Sequence, residues 1–291
     1  MVRFPLLSVI SLLSNYSIII YESSSPSINP SKVKQVSWSP RAFVYEGFLT
    51  DQECNHLISL AKSELKRSAV TDNESGEGKL SKVQTSSEMF IPKGKDPIVA
   101  GIEDKIALWT FLPEENGEDM QVLRYEQGQR YDPYYDYFVD EINIAEGGHR
   151  IATVLLYLSN VAKGGETVFP AAEKSPHHIS STSDDDLSGC AKKGISVKPR
   201  KGDALLFFSL YPNAIPDPSS VLGGCPVIEG EKWLATKWIH DKTLGSAGDD
   251  CIDENENCER WAASGECSRY PEYMVGTPKS PGYCRRSCQL C

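Results

Sequence analysis

The chain has 291 residues, 40% hydrophobic and 24% charged, enough for one core of enzyme size with something small beside it. Thirty Lys and Arg against 40 Asp and Glu give a net charge of −10, which argues against nucleic acid or an anionic membrane surface as a partner, since both need a basic face. The charge names no substrate, because solubility accounts for it.

The N-terminus reads "MVRFPLLSVISLLSNYSIIIYESSSPS": Arg3, then an apolar stretch from Phe4 to Tyr21, then a Ser/Pro-rich run. Residues 1–22 are expected to be a secretory signal or a signal anchor, outside the fold. The length lies at the lower edge of what crosses a bilayer, roughly 17–25 residues, and no small-x-small cleavage site follows. An anchor is therefore the preferred reading, with membrane attachment if the segment stays uncleaved. Residues 23–34 read as a polar linker. In "LTDQECNHLISLAKSEL", Thr50 and Glu53 have capping-box spacing, and Cys54, Leu57, Ile58, Ala61 and Leu65 make one apolar helical face. Asn73-Glu74-Ser75 is a glycosylation sequon.

From residue 120 onward the pattern changes to short β-type runs: "MQVLRY", "ATVLLYLS" (Ala152–Ser159), "GISVKP", "DALLFFSL" and "WLATKWIH". "KGGETVFP" and "PRKGD" read as turns between them, and residues 171–194 as a long polar loop holding His177 and His178. Short strands after an N-terminal helical region predict a mainly β barrel or sandwich with flanking helices. After a linker at 243–250, six of the nine cysteines crowd into residues 251–291: Cys251, Cys258, Cys267, Cys284, Cys288 and Cys291. Cys288-x-x-Cys291 would also suit zinc, but the irregular spacing and the secretory N-terminus favour disulfides. So few apolar residues need those staples to hold a fold.

A metal-type motif lies in "GQRYDPYYDYF", where Asp136 sits among aromatic residues. With "WSPRAFVYEGFLTDQEC", "GGHRIATVLLYLSNVAKGGETVFP", "VKPRKGDALLFF" and "GGCPVIEGEKWLATKWIH", it makes residues 35–242 resemble plant prolyl 4-hydroxylases, Fe(II)- and 2-oxoglutarate-dependent dioxygenases. The tail resembles an ShK-toxin-like (ShKT) six-cysteine module. The resemblance implies a double-stranded β-helix (jelly-roll) core and a type II membrane protein of the endoplasmic reticulum or Golgi, secreted if cleaved. It also implies Fe(II), 2-oxoglutarate and ascorbate as cofactors, and proline-rich secreted polypeptides in polyproline II form as partners. Within it, Lys232 matches the lysine for the distal carboxylate of 2-oxoglutarate. Tyr125 and Thr167 match further co-substrate contacts, Trp238 a pocket aromatic, and Asp136 the carboxylate iron ligand. For the tail it implies Cys251–Cys291, Cys258–Cys284 and Cys267–Cys288, one of 15 connectivities that spacing alone permits. Cys190–Cys225 is the suggested bond of the main domain, with Cys54 reduced.

Both histidine positions of the iron site depart from the family, holding Tyr134 and Leu222, so no catalytic residue is assigned. Leucine has no lone pair to give, and a phenol with an ordinary pKa of about 10 gives up its proton at a cost. His56, His149, His177, His178 and His240 remain, none at a ligand position of the family. Three functions are open at this level. The first is an active peptidyl-proline hydroxylase. The second is a non-catalytic protein that binds proline-rich chains or partners an active hydroxylase, with Tyr131, Tyr134, Tyr135, Tyr137 and Phe138 lining a groove. The third is a protein whose working part is the cysteine-rich tail.

Overall fold

The computed structural model describes residues 27–71, 78–80, 83–140, 143–144, 147–173, 187–243, 253–277 and 280–288. The N-terminal apolar segment, Asn73, the His177-His178 pair, Cys251 and Cys291 lie outside these residues. No helix among the described residues is long and apolar enough to cross a membrane.

Helix α1 spans Asp51–Lys62. Thr50 caps it: its hydroxyl accepts from the Glu53 amide at 3.2 Å, and the Glu53 carboxylate accepts from the Thr50 amide at 2.8 Å. Cys54, Leu57 and Ala61 are its buried face, and Leu65 lies past its end. Helix α2, Pro97–Thr110, falls where the sequence predicts no element. Asp96 caps it through the amides of Ile98 and Val99, and Pro97 takes the first turn, where no amide donor is needed.

Sixteen strands follow the chain through the described residues of the main domain. The first six are β1 (Val33–Trp38), β2 (Arg41–Tyr45), β3 (Lys66–Arg67), β4 (Ala69–Thr71), β5 (Gly78–Leu80) and β6 (Ser87–Ile91). Next come β7 (Met120–Tyr125), β8 (Tyr131–Tyr134), β9 (Arg150–Tyr157), β10 (Lys163–Gly164) and β11 (Thr167–Phe169). The last are β12 (Ile195–Val197), β13 (Ala204–Phe208), β14 (Leu222–Gly224), β15 (Val227–Glu229) and β16 (Lys232–His240). β1 to β6 precede residue 120, where the sequence predicts the β-type runs to begin, and β1, β10 and β11 fall on stretches expected as linker or turn. β1 begins at Val33, two residues inside the stretch expected as linker, because Val33 pairs with Tyr45. The stretch expected as the turn "KGGETVFP" contains β10 and β11. Its two glycines turn sharply, Gly164 at φ +77° and Gly165 at φ +70°, and a Cβ on Gly164 would sit 2.3 Å from the Pro226 carbonyl oxygen.

An eight-stranded sheet, β1-β2-β13-β9-β16-β7-β6-β3, faces a four-stranded sheet, β12-β11-β14-β8. This is a jelly-roll arrangement, with every recorded strand pair antiparallel. Side chains alternate along a strand, so the central strands serve two cores. One face of the large sheet, with Val122, Val154, Leu156, Leu206, Ala235 and Ile239, packs on Leu57 of α1 and Ile102 and Ile106 of α2. The other face, with Leu123, Leu155, Leu205, Phe207 and Leu234, meets Phe169, Val197 and Leu222 of the small sheet. Burial on both faces explains why β16 is buried at all nine positions even though Lys232, Thr236, Lys237 and His240 break its apolar run.

Two lysines interrupt that run, and their five-residue separation sends them to opposite faces. Lys237 points to the helices, where its ammonium reaches Glu103 of α2 at 2.5 Å, with both side chains at most 2% exposed. The second Glu103 oxygen accepts from the Gly94 amide at 2.8 Å.

Disulfides join Cys190 to Cys225, Cys258 to Cys284 and Cys267 to Cys288. Cys54 is a buried free thiol, pushed up to about 11 by burial and therefore inert at neutral pH. In the tail, three short helices, α3 (Cys258–Ala263), α4 (Glu266–Arg269) and α5 (Pro271–Met274), gather around Cys258, Met274 and Cys284. Tyr270, Tyr273 and Tyr283 of the tail remain exposed.

Removing one member of a buried ion pair strands the other charge, a loss of about 3–5 kcal/mol. Glu103→Gln is accordingly expected to lower stability by about 3 kcal/mol in urea unfolding. Glu103→Leu combined with Lys237→Met should lose less than Glu103→Gln alone. A neutral Glu103→Gln would show that this pair contributes nothing.

Candidate functional site

Between the two sheets lies a cavity of only about 30 Å³. A water needs roughly 10–15 Å³, so the space admits one or two. Its walls follow from strand parity. Lys232 of β16 is the cross-strand partner of Tyr125 on β7, Leu234 of Leu123, and Thr236 of Gln121, and all six line the cavity. Thr167 of β11 and Leu155 of β9 close one side, and Tyr131, Tyr134, Leu222, Gly223 and Gly224 of β8 and β14 close the other.

Lys232 marks one end. It is 3% exposed, and its ammonium lies 5.6 Å from the Tyr125 ring centroid and 5.9 Å from that of Tyr157. No carboxylate of the described residues pairs with it: the Glu166 oxygens accept instead from the Ser188 amide and hydroxyl at 2.9 and 2.8 Å. Burial lowers the ammonium's pKa from 10.5 to about 8, with Glu166 pulling weakly the other way. The Tyr157 hydroxyl donates to Thr167 Oγ1 at 2.9 Å, which leaves the Thr167 proton free to be donated in turn.

At the other end, Tyr134 and Leu222 are direct partners across β8 and β14. Leu222 is 2% exposed within the inter-sheet apolar cluster, and Tyr134 packs against that cluster. The Tyr134 ring stacks on Tyr131 with centroids 3.9 Å apart and planes inclined by 17°. Burial, reinforced by the charge of Asp136, holds the Tyr134 phenol well above its ordinary pKa, so it stays protonated.

Asp136 and Trp238 stand behind these walls rather than in them. Asp136 is 2% exposed; Thr153 Oγ1 donates to its Oδ2 at 2.7 Å and Trp238 Nε1 to its Oδ1 at 3.1 Å. Burial raises the Asp136 carboxyl despite Arg150 and these two hydrogen bonds. The Arg150 guanidinium lies 4.0 Å from the Trp238 ring centroid and grips Glu118 through both oxygens. Glu118 also takes a hydrogen bond from His240 Nε2 at 2.7 Å. Burial alone would raise Glu118, but His240 and Arg150 hold it down to about 2. The sequence names Asp136 and Trp238, while Thr153, Arg150 and Glu118 carry no motif signal. Gln121, Leu234 and Thr236 were findable, because they share the parity of Tyr125 and Lys232.

The expected aromatic run divides in three. Tyr131 and Tyr134 face the cavity, and Phe138 lies under Arg150 at 4.9 Å. Tyr135 and Tyr137 pair with each other at 4.7 Å, with Tyr135 exposed.

A model of the 2OG-Fe(II) oxygenase superfamily matches residues 120–240. The chain is 66% identical over 288 residues to "Probable prolyl 4-hydroxylase 4" of Arabidopsis thaliana, covering 98% of this chain and 96% of that one. The chain belongs to the plant prolyl 4-hydroxylase family. It is equally similar, at 66% over 288 residues, to "Prolyl 4-hydroxylase 2" of the same plant. Among solved structures, the viral collagen prolyl hydroxylase of Paramecium Bursaria Chlorella virus-1, as its 2OG complex, matches with a TM-score of 0.50 and 25% identity. That match covers 68% of this chain and 94% of the viral one.

The family implies Fe(II) and 2-oxoglutarate. The residues here do not fit the iron. Non-haem iron of this kind takes two imidazoles and a carboxylate on one face. At the two positions that the resemblance assigns to imidazoles, Leu222 offers only hydrocarbon and Tyr134 a protonated phenol, and neither side chain suits Fe(II). Among the described residues no group of three or more His, Cys, Asp or Glu comes together as a metal set. His56 is bonded to Asp96 at 2.7 Å and His240 to Glu118, and neither lines the cavity. Lys232, Tyr125 and Thr167 thus line the cavity, while Asp136 and Trp238 stand behind its walls.

The Lys232 charge gives a pH test. Its folded pKa lies below its unfolded value, so the unfolded chain holds more protons between about pH 8 and 10.5 and stability rises with pH across that window. Lys232→Met is expected to raise stability at pH 7 by about 3 kcal/mol, from the size of the shift, and the gain should fade by pH 10.5. Urea unfolding at pH 7 and pH 10 checks this. A loss at pH 7 would mean that the ammonium has a counter-ion in the folded protein.

Proposed function

We propose that this chain is a prolyl 4-hydroxylase-family protein that has lost the family's iron-dependent hydroxylation and serves as a metal-independent binder of proline-rich secreted polypeptides, or as the partner of an active hydroxylase. The observation that carries the reading is the direct pairing of Tyr134 with Leu222 where two imidazoles are needed. The peptide side rests on an outer rim that does not depend on metal. Tyr135 and Tyr211 are 43% and 38% exposed, and Tyr137 and Tyr211 both feel the charge of Asp217. Polyproline II chains are preformed and cheap to bind on such aromatic surfaces.

A second reading has its own support. Lys232 keeps an unpaired, buried cation beside Thr167 and Tyr125, as a site for the distal carboxylate of 2-oxoglutarate would require. On this reading the chain is a weak peptidyl-proline 4-hydroxylase that uses 2-oxoglutarate, O2 and ascorbate with a ligand drawn from elsewhere.

We place the protein in the lumen of the endoplasmic reticulum or Golgi, held as a type II membrane protein by residues 1–22, or secreted if they are cleaved. The main-domain disulfide and the stapled tail agree with an oxidising compartment. The tail is read as an ShKT-type module. Cys258–Cys284 and Cys267–Cys288 support that reading, and the first–sixth pair, Cys251–Cys291, lies outside the described residues.

The test uses a proline-rich peptide with the full chain, with and without Fe(II), 2-oxoglutarate and ascorbate. The expected result is peptide binding unchanged by EDTA, no hydroxyproline above a protein-free control, and about fivefold weaker binding for Tyr135→Ala with Tyr211→Ala. Hydroxyproline formed in proportion to protein would establish the second reading. No binding to the peptide or to an active hydroxylase would remove the first.

A further inference from the structure

The misfit between this donor set and iron has a structural counterpart. β8 is four residues long, and its Pro133 has no amide to donate. It meets β14 at two positions, Tyr134 with Leu222 and Tyr131 with Gly224, with a register shift between them. On its other side it touches residues 83–85 through the Asp132 amide to Val83 and the Thr85 amide to Arg130. So short a ladder leaves much of the hold on β8 to side chains. Directly opposed residues in an antiparallel pair have Cβ atoms about 4.5–5.5 Å apart and interact across the strands. Here the opposed pair is a buried leucine and a tyrosine in the same apolar cluster, with Tyr131 stacked on the tyrosine.

Resting on the iron-free reading above, we infer that Tyr134 and Leu222 form a hydrophobic clasp that fastens β8, and with it the Asp136 segment, to β14 without a metal. The two replacements act as one structural feature. A metal bound at these positions would bridge the strands by coordination; the clasp bridges them by packing, and it fills the space in doing so. The small volume left in the cavity, with Lys232 at its far end, agrees with a site closed at the β8–β14 side.

The test is a double-mutant cycle on the full chain: Tyr134→Ala, Leu222→Ala and both together, followed by thermal unfolding in EDTA and in Fe(II) with 2-oxoglutarate. Each single change is expected to lower the midpoint by roughly 5–10 °C, on the scale of large-to-small substitutions in cores. The combined change should lower it by clearly less than the sum, and EDTA should leave the unmodified protein's midpoint unmoved. Tyr134→His with Leu222→His should melt lower in EDTA and regain stability with Fe(II). If the alanine variants do not fold, Tyr134→Leu and Leu222→Val give a milder cycle with the same logic. Additive losses in either cycle would overturn the clasp and leave the iron-free reading intact. A midpoint of the unmodified protein that falls with EDTA and recovers with Fe(II) would overturn both.

Discussion

Four neighbouring strands of the large sheet must satisfy two cores at once, and this constraint sets most of the molecule. In β13, β9, β16 and β7, alternate residues pack on the helices and the intervening ones face the small sheet. A one-residue slip in register would exchange the two sets and place Lys232 against the helices. The register therefore decides which polar groups meet which partners. Lys237 reaches the carboxylate of Glu103 on the helix side, while Lys232 enters a cavity whose walls offer phenols, a threonine and hydrocarbon.

The cavity combines a kept half and a changed half. Around Lys232, the unpaired ammonium and the Thr167 hydroxyl remain suited to an anionic group. Around Tyr134 and Leu222, two paired side chains pack in the apolar cluster and offer no imidazole to a metal. Asp136 sits between the two conditions, carried on the segment after β8 and fixed by Thr153 and Trp238, with Arg150, Glu118 and His240 behind them. Supporting groups of this kind orient metal ligands, and here they hold a lone carboxylate in place. Family membership is compatible with the proposed loss of the family's chemistry, because the fold depends on the two apolar cores and iron binding on a few side chains within one of them.

Much of this was legible in the chain. The capping box Thr50/Glu53, the strand of "MQVLRY" and the buried run of "WLATKWIH" announce themselves through spacing and composition, and the jelly roll follows from the family resemblance. Helix α2 was missed although Asp96 and Pro97 form a start signal and Val99, Ile102 and Ile106 recur at helical spacing; what spacing could not show is the burial of Glu103, which depends on Lys237 across from it. Strands β8, β11 and β14 are three or four residues long, too short for periodicity to register. At the site, motif position identified Asp136, Lys232, Tyr134 and Leu222. The direct opposition of the last two depends on a strand pairing between residues far apart in sequence, which no local pattern encodes.

The most direct measurement is anaerobic equilibrium binding of Fe(II) to the full chain, with and without 2-oxoglutarate, beside a variant carrying Tyr134→His and Leu222→His. The account predicts no stoichiometric iron on the unmodified protein and about one equivalent on the doubly restored one, since the carboxylate and its supports are already in place. One equivalent of Fe(II) held by the unmodified chain would contradict it, and would mean that a ligand outside the pattern completes the site.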